Sequence, residues 1–515
     1  MSTHRSLFKS SALLGFLTAL SRILGFVRDL VIATAFGTGL GAEAFVVSFK
    51  IPNLLRDLVG EGAMNSAFVP VLTECHEKKR DEFWGLVSTL FFALSLILVL
   101  LSFLGILFAG PIAKLLAPGF LNSSDIGKFP LTVRLTRFIF PYIFLIGLSA
   151  LAMGVLNALR EFTSSALGPV FLNISMIFFG IFFEKSMGPM ALVLGVLCGG
   201  VLQVACQIPP LLKSGFRIQK PAFDTIFVRK IGRLLIPRAL GSAVYQINVF
   251  VDSILASFES VIGPGGQSAL YYSNRLFQLP LAIFGVSLAQ AILPTFSTQL
   301  VREDIKAFKE TFSVALRSLM IVVMPASVGL AVLSKPIVRI IFEHGRFNAY
   351  STSITASALF YYSFGLLSCS LVKILANAFY SMQDTKTPVK TMAFSVMLNI
   401  LLSLVLMRSL KIGGLALASS VSATVNVVLL YTHLRKRVGE LDGRRMLQSF
   451  GQVLLLSAAM GLFCLAYNFY VLTPHQQSPQ FHQALYLAAG IVLSIFFYFG
   501  MAYFFKIKEV RKLIP

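Results

Sequence analysis

Long apolar stretches separated by short polar segments run along the whole chain. A helix needs about 20 mostly apolar residues to cross the hydrocarbon of a bilayer, and we find fourteen stretches of that length. They cover approximately residues 11–36, 41–72, 84–110, 131–158, 162–183, 189–212, 234–258, 267–298, 311–333, 352–382, 387–407, 413–433, 447–472 and 483–505. We therefore predict fourteen transmembrane helices. The second and eighth stretches are too long and too rich in Gly and Pro to be uniform rods, so we expect breaks near Pro52, Gly60, Gly62 and Pro280.

The composition agrees with this pattern and excludes other classes of protein. The 515 residues are 56% hydrophobic and 13% charged, whereas soluble domains carry about 25% charged residues. Five scattered Cys residues form no CxxC pair, so neither a metal site nor a disulfide framework is indicated. A soluble enzyme, a disordered chain and a disulfide-rich secreted scaffold are excluded. The fold class that remains is an all-α polytopic membrane protein.

The distribution of charge predicts the orientation of the chain. With the N-terminus inside, the cytoplasmic segments hold 26 of the 44 Lys and Arg residues, with Lys390 at the cytoplasmic start of its span counted among them, and the outer loops hold 8. Because Lys and Arg accumulate on the cytoplasmic side, both termini are expected to be cytoplasmic. The ten that remain fall inside predicted spans, where a central charge costs about 2.5 to 3.5 kcal/mol. They are Arg22, Arg28, Lys50, Arg56, Arg134, Arg137, Arg238, Arg275, Arg317 and Lys373.

A weak internal repeat relates the two halves of the chain. EAFVVSFKIPNLL aligns with SALYYSNRLFQLP, which sets Ser48 over Ser273 and Lys50 over Arg275. VFLNIS likewise matches VMLNIL, with Asn173 over Asn399. Matches in the same order at nearly one offset predict two six-helix bundles, related as parallel repeats because six is an even number. Spans thirteen and fourteen lie outside the repeat.

Charged residues concentrate in the first two spans. Arg22 and Asp29 are seven residues apart on the first span, and Arg28 lies beside Asp29. The second span carries Glu43, Lys50, Arg56 and Asp57. One interpretation is charge pairing that holds helices together within the membrane. The other is a binding cavity for an anion such as a phosphate or pyrophosphate, which the surplus of Arg favours because a guanidinium holds phosphate oxygens through two parallel hydrogen bonds.

The motifs around these residues are recognisable. The stretches SRILGFVRDLVIATAFG, AEAFVVSFKIPNLLRDLVGEGAMNSAFVPVL, PVFLNISM, YYSNRLFQLP and FYSMQDTKTPVK resemble the MurJ/MviN family of lipid II flippases, within the multidrug/oligosaccharidyl-lipid/polysaccharide exporter superfamily. The similarity covers essentially the whole chain. It implies two six-helix lobes in a V around a central cavity, at 1–220 and 221–440, and two C-terminal helices at 441–515 that shape a groove for a lipid tail.

The resemblance also implies a set of functional residues. The family's essential cavity arginines fall on Arg22, Arg28, Arg56 and Arg275, and its acidic position in the second span falls on Glu43. Asn53 and Asp29 complete the expected substrate-binding set. Many relatives carry an acid three residues after Arg275, where this chain has Gln278. Asp252 and Asn399 form a candidate cation site, for which a carboxyl group hydrogen-bonded to a neighbouring helix is the competing interpretation.

The resemblance implies a transporter, not an enzyme. Lipid II, the undecaprenyl-pyrophosphate-linked disaccharide pentapeptide, would be moved from the cytoplasmic to the outer leaflet of the bacterial inner membrane by alternating access, for peptidoglycan synthesis and cell shape. No cofactor is expected. The membrane potential, alone or with a monovalent cation (Na+ or H+), would supply the energy. We expect a monomer that contacts membrane lipids and no nucleic acid, with cell wall synthesis or division proteins as candidate partners.

Four alternatives stay open at this point. A flippase for another polyprenyl-pyrophosphate oligosaccharide, of the O-antigen or capsule type, would share the fold. A multidrug antiporter would favour organic cations, which the basic spans disfavour. A membrane-embedded enzyme on polyprenyl phosphates would need clustered acids with a metal or a His nucleophile. The acids of the spans are dispersed, and the one His within them, His433, is the last residue of the twelfth span. A structural scaffold would have no need of so many intramembrane arginines.

Overall fold

A computed structural model of the protein describes the backbone of residues 2–56, 63–221 and 226–505, and their side chains except at 2–12, 14, 55, 56, 63–67 and 234–245. All the regular elements in those ranges are helices. The contacts divide the chain into two compact units, residues 1–246 and 247–515. The three-part division predicted at 220 and 440 stays a prediction.

The first unit contains eleven complete helices and most of a twelfth. They are α1 (Ser2–Phe36), α2 (Leu40–Arg56), α3 (Ala63–Lys78), α4 (Arg80–Leu107), α5 (Ala109–Leu116), α6 (Lys128–Ile139), α7 (Tyr142–Ala158), α8 (Thr163–Phe182), α9 (Glu184–Met187), α10 (Met190–Ala205), α11 (Ile208–Lys213) and α12 (Ile226–Ala256), with a 3-10 turn at Pro118–Asn122. Helix α12 continues into the second unit.

The second unit contains the remaining helices. They are α13 (Glu259–Ile262), α14 (Gly266–Pro280), α15 (Ser287–Val301), α16 (Ile305–Val332), α17 (Ser334–Phe342), α18 (Ala349–Ser363), α19 (Leu366–Ser381), α20 (Lys386–Leu410), α21 (Ile412–Val438), α22 (Gly443–Tyr467) and α23 (Gln480–Phe504). Two segments, Leu281–Val286 and Asn468–Leu472, are π-helical.

Over the residues that the structure describes, each of the fourteen predicted spans lies on one helix or on consecutive helical segments. Within the described ranges, ten helices are long and apolar enough to cross a membrane, or eleven if the bent pair α18 and α19 counts as one span. The all-helical, multi-pass architecture is therefore confirmed. The count of fourteen stays a prediction, because the first, second and seventh spans include residues outside the description.

Several spans are interrupted, in part where the sequence predicts it. The π-helical turn begins directly after Pro280, at the predicted break in the eighth span. Pro52 lies inside α2 without ending that helix, and Gly60 and Gly62 lie outside the described residues. Two further interruptions have no counterpart in the sequence prediction. The fourth span is divided between α6 and α7 at Pro141, and α18 and α19 meet at a bend of 45°.

Matching contacts recur inside the two units. Helix α2 packs on α6 as α14 packs on α18, and α8 packs on α10 as α20 packs on α21. The repeat is visible down to single hydrogen bonds: the Ser48 hydroxyl donates to the carbonyl of Ala44 at 2.7 Å, and the Ser273 hydroxyl donates to that of Ala269 at 2.7 Å. Lys50 and Arg275, two residues further on, therefore occupy matching positions within their own units.

An apolar cluster joins α3, α4 and α7 of the first unit to the segment that leads into α12. Phe216 packs edge-on against Trp84 with ring centroids 5.5 Å apart, and Phe227 and Ile231 are buried in the same cluster. An ion pair between Lys230 and Glu74 lies beside it. Hydrogen bonds from Lys230 and Lys78 hold the pKa of the Glu74 carboxyl below its ordinary value. The start of α12 is thus fixed to the first unit.

The last two long helices pack as a hairpin on the second unit. Val453, Leu456 and Met460 of α22 are buried against α16, and Tyr498 of α23 is buried in the same cluster. Hydrogen bonds join the loop before α23 to the segment around α17: Arg339 donates to the carbonyl of Gln476 at 3.2 Å. Helices α22 and α23 therefore belong to the second unit and cover α16.

Candidate functional site

A buried ion pair lies in the C-terminal third of α1. The Arg28 side chain is only 6% exposed, and its Nε and Nη2 donate to Oδ1 of the adjacent Asp29 at 3.0 and 2.8 Å. Its Nη1 donates to Oδ1 of Asn173 on α8 at 3.0 Å. Asn173 Nδ2 in turn donates to the carbonyl of Ser21 at 3.1 Å. Because these bonds are charge-assisted and shielded from solvent, they fix α1 against α8.

Arg22 lies on the same helix in a different environment. Its side chain is exposed, and among the described residues no hydrogen bond or ion pair holds it. The seven-residue spacing of Arg22 and Asp29 thus places them on one side of α1 without pairing them, since Asp29 pairs with Arg28 instead. An exposed guanidinium in an apolar helix is available for a bidentate anion.

The second span contributes a second buried ion pair. Glu43, in the first turn of α2, pairs with Lys128, the first residue of α6, and each side chain is 1% exposed. The Lys128 ammonium also lies 4.5 Å from the centroid of the Phe120 ring. Further along α2, Lys50 and Asn53 are half-buried. Arg56 ends α2, but its side chain lies outside the described residues, as do Asp57 and Glu61.

Arg275 on α14 is the predicted substrate-binding cation of the second unit. Its Nη2 donates to the Tyr271 hydroxyl at 3.3 Å, and the guanidinium carbon lies 5.0 Å from the centroid of the same ring. The ring one turn earlier therefore orients the guanidinium. The side chain is half-buried, and Gln278, three residues further on, is exposed. The cation and an exposed amide thus lie close together along α14.

The candidate cation site is assembled within the second unit. Asn399 Nδ2 on α20 donates to Oδ1 of Asn248 at 2.5 Å and to Oδ1 of Asp252 at 3.4 Å. Asn248 Nδ2 donates to Asp252 Oδ2 at 3.4 Å, and the Ser419 hydroxyl donates to Asn399 Oδ1 at 3.5 Å. Asp252 is thus hydrogen-bonded to a neighbouring helix, as in the competing interpretation. The carboxylate, amide and hydroxyl oxygens gathered here are also of the ligand type that hard cations prefer. The described residues include no cluster of three His, Cys, Asp or Glu that would hold a transition metal.

Three of these contacts lie beyond what the sequence predicts. The loop charge count places Lys128 in an outer loop, yet it is fully buried against Glu43. The sequence marks Asn173 only as a repeat position, yet it accepts a hydrogen bond from Arg28. Tyr271 has no predicted role, and it orients Arg275. For Lys128, the available signal in the sequence is its position at the start of an apolar span. A lysine there needs a tertiary partner when the helix is buried.

Comparison with known proteins gives consistent matches along the chain. The family described as "Lipid II flippase MurJ" matches residues 32–488. A "Probable lipid II flippase MurJ" of Rickettsia prowazekii is 32% identical over 513 residues, which cover 98% of each chain. A "Probable lipid II flippase MurJ" of Buchnera aphidicola from Acyrthosiphon pisum is 37% identical over 84% of each chain. The "Lipid II flippase MurJ" of Burkholderia cenocepacia is 33% identical over 96% of this chain and 97% of its own.

Solved structures extend the comparison to the fold. A structure titled "Lipid II flippase MurJ, inward closed conformation" matches with a TM-score of 0.80 at 28% identity, over 98% of this chain and 100% of its own. An inward-facing MATE family transporter matches with a TM-score of 0.70 at 14% identity, over 82% of this chain and 96% of its own. The second likeness concerns the fold alone.

Proposed function

The chain belongs to the MurJ family of lipid II flippases, and we propose that it moves lipid II from the cytoplasmic to the outer leaflet by alternating access. It is a transporter and not an enzyme, and its transport serves peptidoglycan synthesis. The observation that carries this function is the exposed Arg22 and the half-buried Arg275 on two apolar helices, since both suit a pyrophosphate. Contact with polar groups of the protein during transport avoids the free-energy cost of moving the polar headgroup through the hydrocarbon core of the bilayer.

The predicted site residues divide into two groups. Arg22, Arg275, Asn53 and Arg56 are proposed to contact the pyrophosphate and sugars of the headgroup in the course of transport. Arg28, Asp29 and Glu43 are proposed to shape the site, because the first two bond to each other and to Asn173, and Glu43 pairs with Lys128. The substrate-binding set predicted from sequence is thereby kept. Among the members whose side chains the structure describes, direct contact is assigned to the less buried ones, Arg22, Asn53 and Arg275.

The C-terminal hairpin is proposed to guide the lipid tail. Its helices, within the predicted segment 441–515, present large exposed apolar side chains such as Leu455, Leu462 and Phe496. These would meet the undecaprenyl chain or bilayer lipid while the headgroup moves along the two predicted lobes, 1–220 and 221–440.

The membrane potential is proposed to drive the return step, with no cofactor. One elementary charge moved across 100 mV changes the energy by about 2.3 kcal/mol. Asp252 and Asn399 would hold a monovalent cation, Na+ or H+, since their oxygens and the single carboxylate fit such an ion. We further propose the bacterial inner membrane as location, cytoplasmic termini, a monomeric state and contacts with cell wall synthesis or division proteins.

The test measures lipid II in each leaflet of a bacterium whose own flippase is depleted. Expression of this protein should lower the inner-leaflet pool, and Arg22→Ala should abolish that effect at equal protein amount. The matched control is Lys185→Ala, which removes an exposed cation outside the predicted spans and should transport normally. An unchanged lipid II distribution together with movement of another polyprenyl-linked oligosaccharide would refute the proposed substrate.

A further inference from the structure

The ion pair between Glu43 and Lys128 joins the first turns of two helices. Lys128 is the first residue of α6, where the partial positive charge of the helix terminus disfavours a cation. Glu43 lies in the first turn of α2, where the same effect favours an anion. Both side chains are 1% exposed. The electrostatics of the helix terminus therefore do not favour a lysine at this position. Lys128 is instead stabilised by two tertiary contacts, with the carboxylate of Glu43 and with the face of the Phe120 ring.

The matching helices of the second unit join without these charges. The alignment that sets Ser48 over Ser273 also sets Glu43 over Ser268. Thr352 is as far from the last residue of α18, Ser363, as Lys128 is from the last residue of α6, Ile139. The side chains of Ser268 and Thr352 are both buried. The packing of α2 on α6 therefore requires no ion pair as such, and the charges serve something specific to the first unit.

Helix α2 carries polar residues along its length, two of which, Lys50 and Asn53, have polar counterparts in Arg275 and Gln278 on α14. Lys50 and Asn53 follow Glu43 on this helix, and Arg56 ends it. We infer that Lys128 is a positioning residue of the flippase: through Glu43 it fixes the start of α2, and thereby sets where the polar residues of that helix meet the lipid II headgroup. In the second unit the Thr352 hydroxyl donates to the Glu343 carboxylate, and the buried Ser268 hydroxyl has no hydrogen-bond partner among the described residues. A directional, dehydrated ion pair between α2 and α6 resists rotation of α2 in a way that these two side chains do not provide for α14. This inference rests on the proposed function.

The experiment compares single and double variants of the pair. Lys128→Met and Glu43→Gln should each reduce the leaflet transfer of lipid II by about tenfold or more. The charge-swapped double variant, Glu43→Lys with Lys128→Glu, restores the pair with the opposite polarity and should regain transport to within a few-fold of the original. Protein amount and thermal midpoint in detergent are measured for each variant. The matched control is Lys114→Met, an exposed cation on α5.

A second measurement keeps the inference independent of the substrate. Backbone hydrogen exchange of residues 40–56 should quicken in Lys128→Met and return to its original rate in the swapped variant, with no lipid II present. If wild-type protein moves no lipid II but exchange follows this pattern, the proposed function fails and the positioning of α2 stands.

Two results would overturn the inference. Normal transport by a well-expressed Lys128→Met protein would show that transport does not depend on the positioning of α2 by this ion pair. A swapped variant that recovers its exchange rate and stability but transports nothing would show that the Glu43 carboxylate itself, and not its pairing, is needed by the headgroup.

Discussion

At the scale of the residue, two arginines on one helix lie in different environments and have different proposed roles. Arg22 and Arg28 lie within two turns of each other on α1, yet Arg22 is exposed and Arg28 is enclosed by Asp29 and Asn173. Removal of one partner of a buried ion pair destabilises strongly, because the other charge is left buried without compensation. The two positions should therefore respond differently to the same substitution.

Arg28→Ala should lower both stability and transport. Removing one partner of a buried ion pair costs about 3 to 5 kcal/mol, so we expect a lower thermal midpoint in detergent and less folded protein in the membrane. Arg22→Ala, the matched control on the same helix, should leave the midpoint unchanged and remove transport alone. Equal midpoints for the two variants would contradict the structural role assigned to Arg28.

The sequence identifies the candidate functional residues, but it does not identify the residues with which they form hydrogen bonds and ion pairs. The cost of charge inside apolar spans identifies Arg22, Arg28 and Arg275 directly. Helical spacing relates positions on one helix, and the contact of Arg28 with Asn173 joins residues 145 positions apart. Such a contact depends on how α1 crosses α8, which periodicity does not contain. For the same reason, the sequence pattern places Lys128 in a loop.

At the scale of the element, hydropathy locates spans but does not show where they break. The fourth span reads as one apolar stretch, yet it consists of α6 and α7, separated at Phe140 and Pro141. Pro141 has no N–H to continue the helix, and side chains pack closely around this break: Phe140 is 4% exposed and packs with Leu98 and Ile143. At Gly105 on α4, an added Cβ would lie 1.8 Å from a Phe140 ring atom.

Gly105→Ala should therefore destabilise the fold. The ring of Phe140 is enclosed and would have to move, and overpacking of this kind costs about 1 to 3 kcal/mol. We expect a lower thermal midpoint in detergent. Gly110→Ala is the control on α5, because an added Cβ there meets nothing within 4 Å; it should cause no loss. A Gly105→Ala protein as stable as the control would contradict the packing at this break.

At the scale of the whole molecule, fold class and repeat follow from the sequence, whereas the packing partner of the last two helices does not. Spans thirteen and fourteen read as an appendage outside the repeat. In the structure α22 packs along α16, and Met460 and Cys464 enter one cluster with Ile321 and Met324. Apolar side chains of a membrane helix are solvated equally well by lipid and by protein. Hydropathy therefore does not identify their neighbour.

Deletion of residues 441–515 should leave an inserted chain that no longer transports. Lipid replaces α22 and α23 on the exposed face of α16 with little cost, because no hydrophobic force drives helices together within a bilayer. We expect near-normal protein in the membrane and loss of the lipid II transfer, since the tail has lost its proposed path. A control that lacks 506–515 keeps α23 whole and should transport.

Either of two outcomes would contradict this expectation. Full transport by the shortened chain would show that the tail needs no hairpin. Absence of the chain from the membrane would show that the hairpin is required for the second unit to fold.

The paired serines Ser48 and Ser273 carry a consequence for the history of the chain. Each hydroxyl bonds the carbonyl four residues before it, at the same distance in both units. A gene that was duplicated and fused would leave this trace, since what the ancestral bundle needed is inherited twice. At other matching positions the two halves carry different residues, such as Lys50 and Arg275 or Glu43 and Ser268. These positions have diverged since the duplication. Replacing a residue of one half by the residue at the matching position of the other half would thus distinguish inherited positions from positions that specialised later.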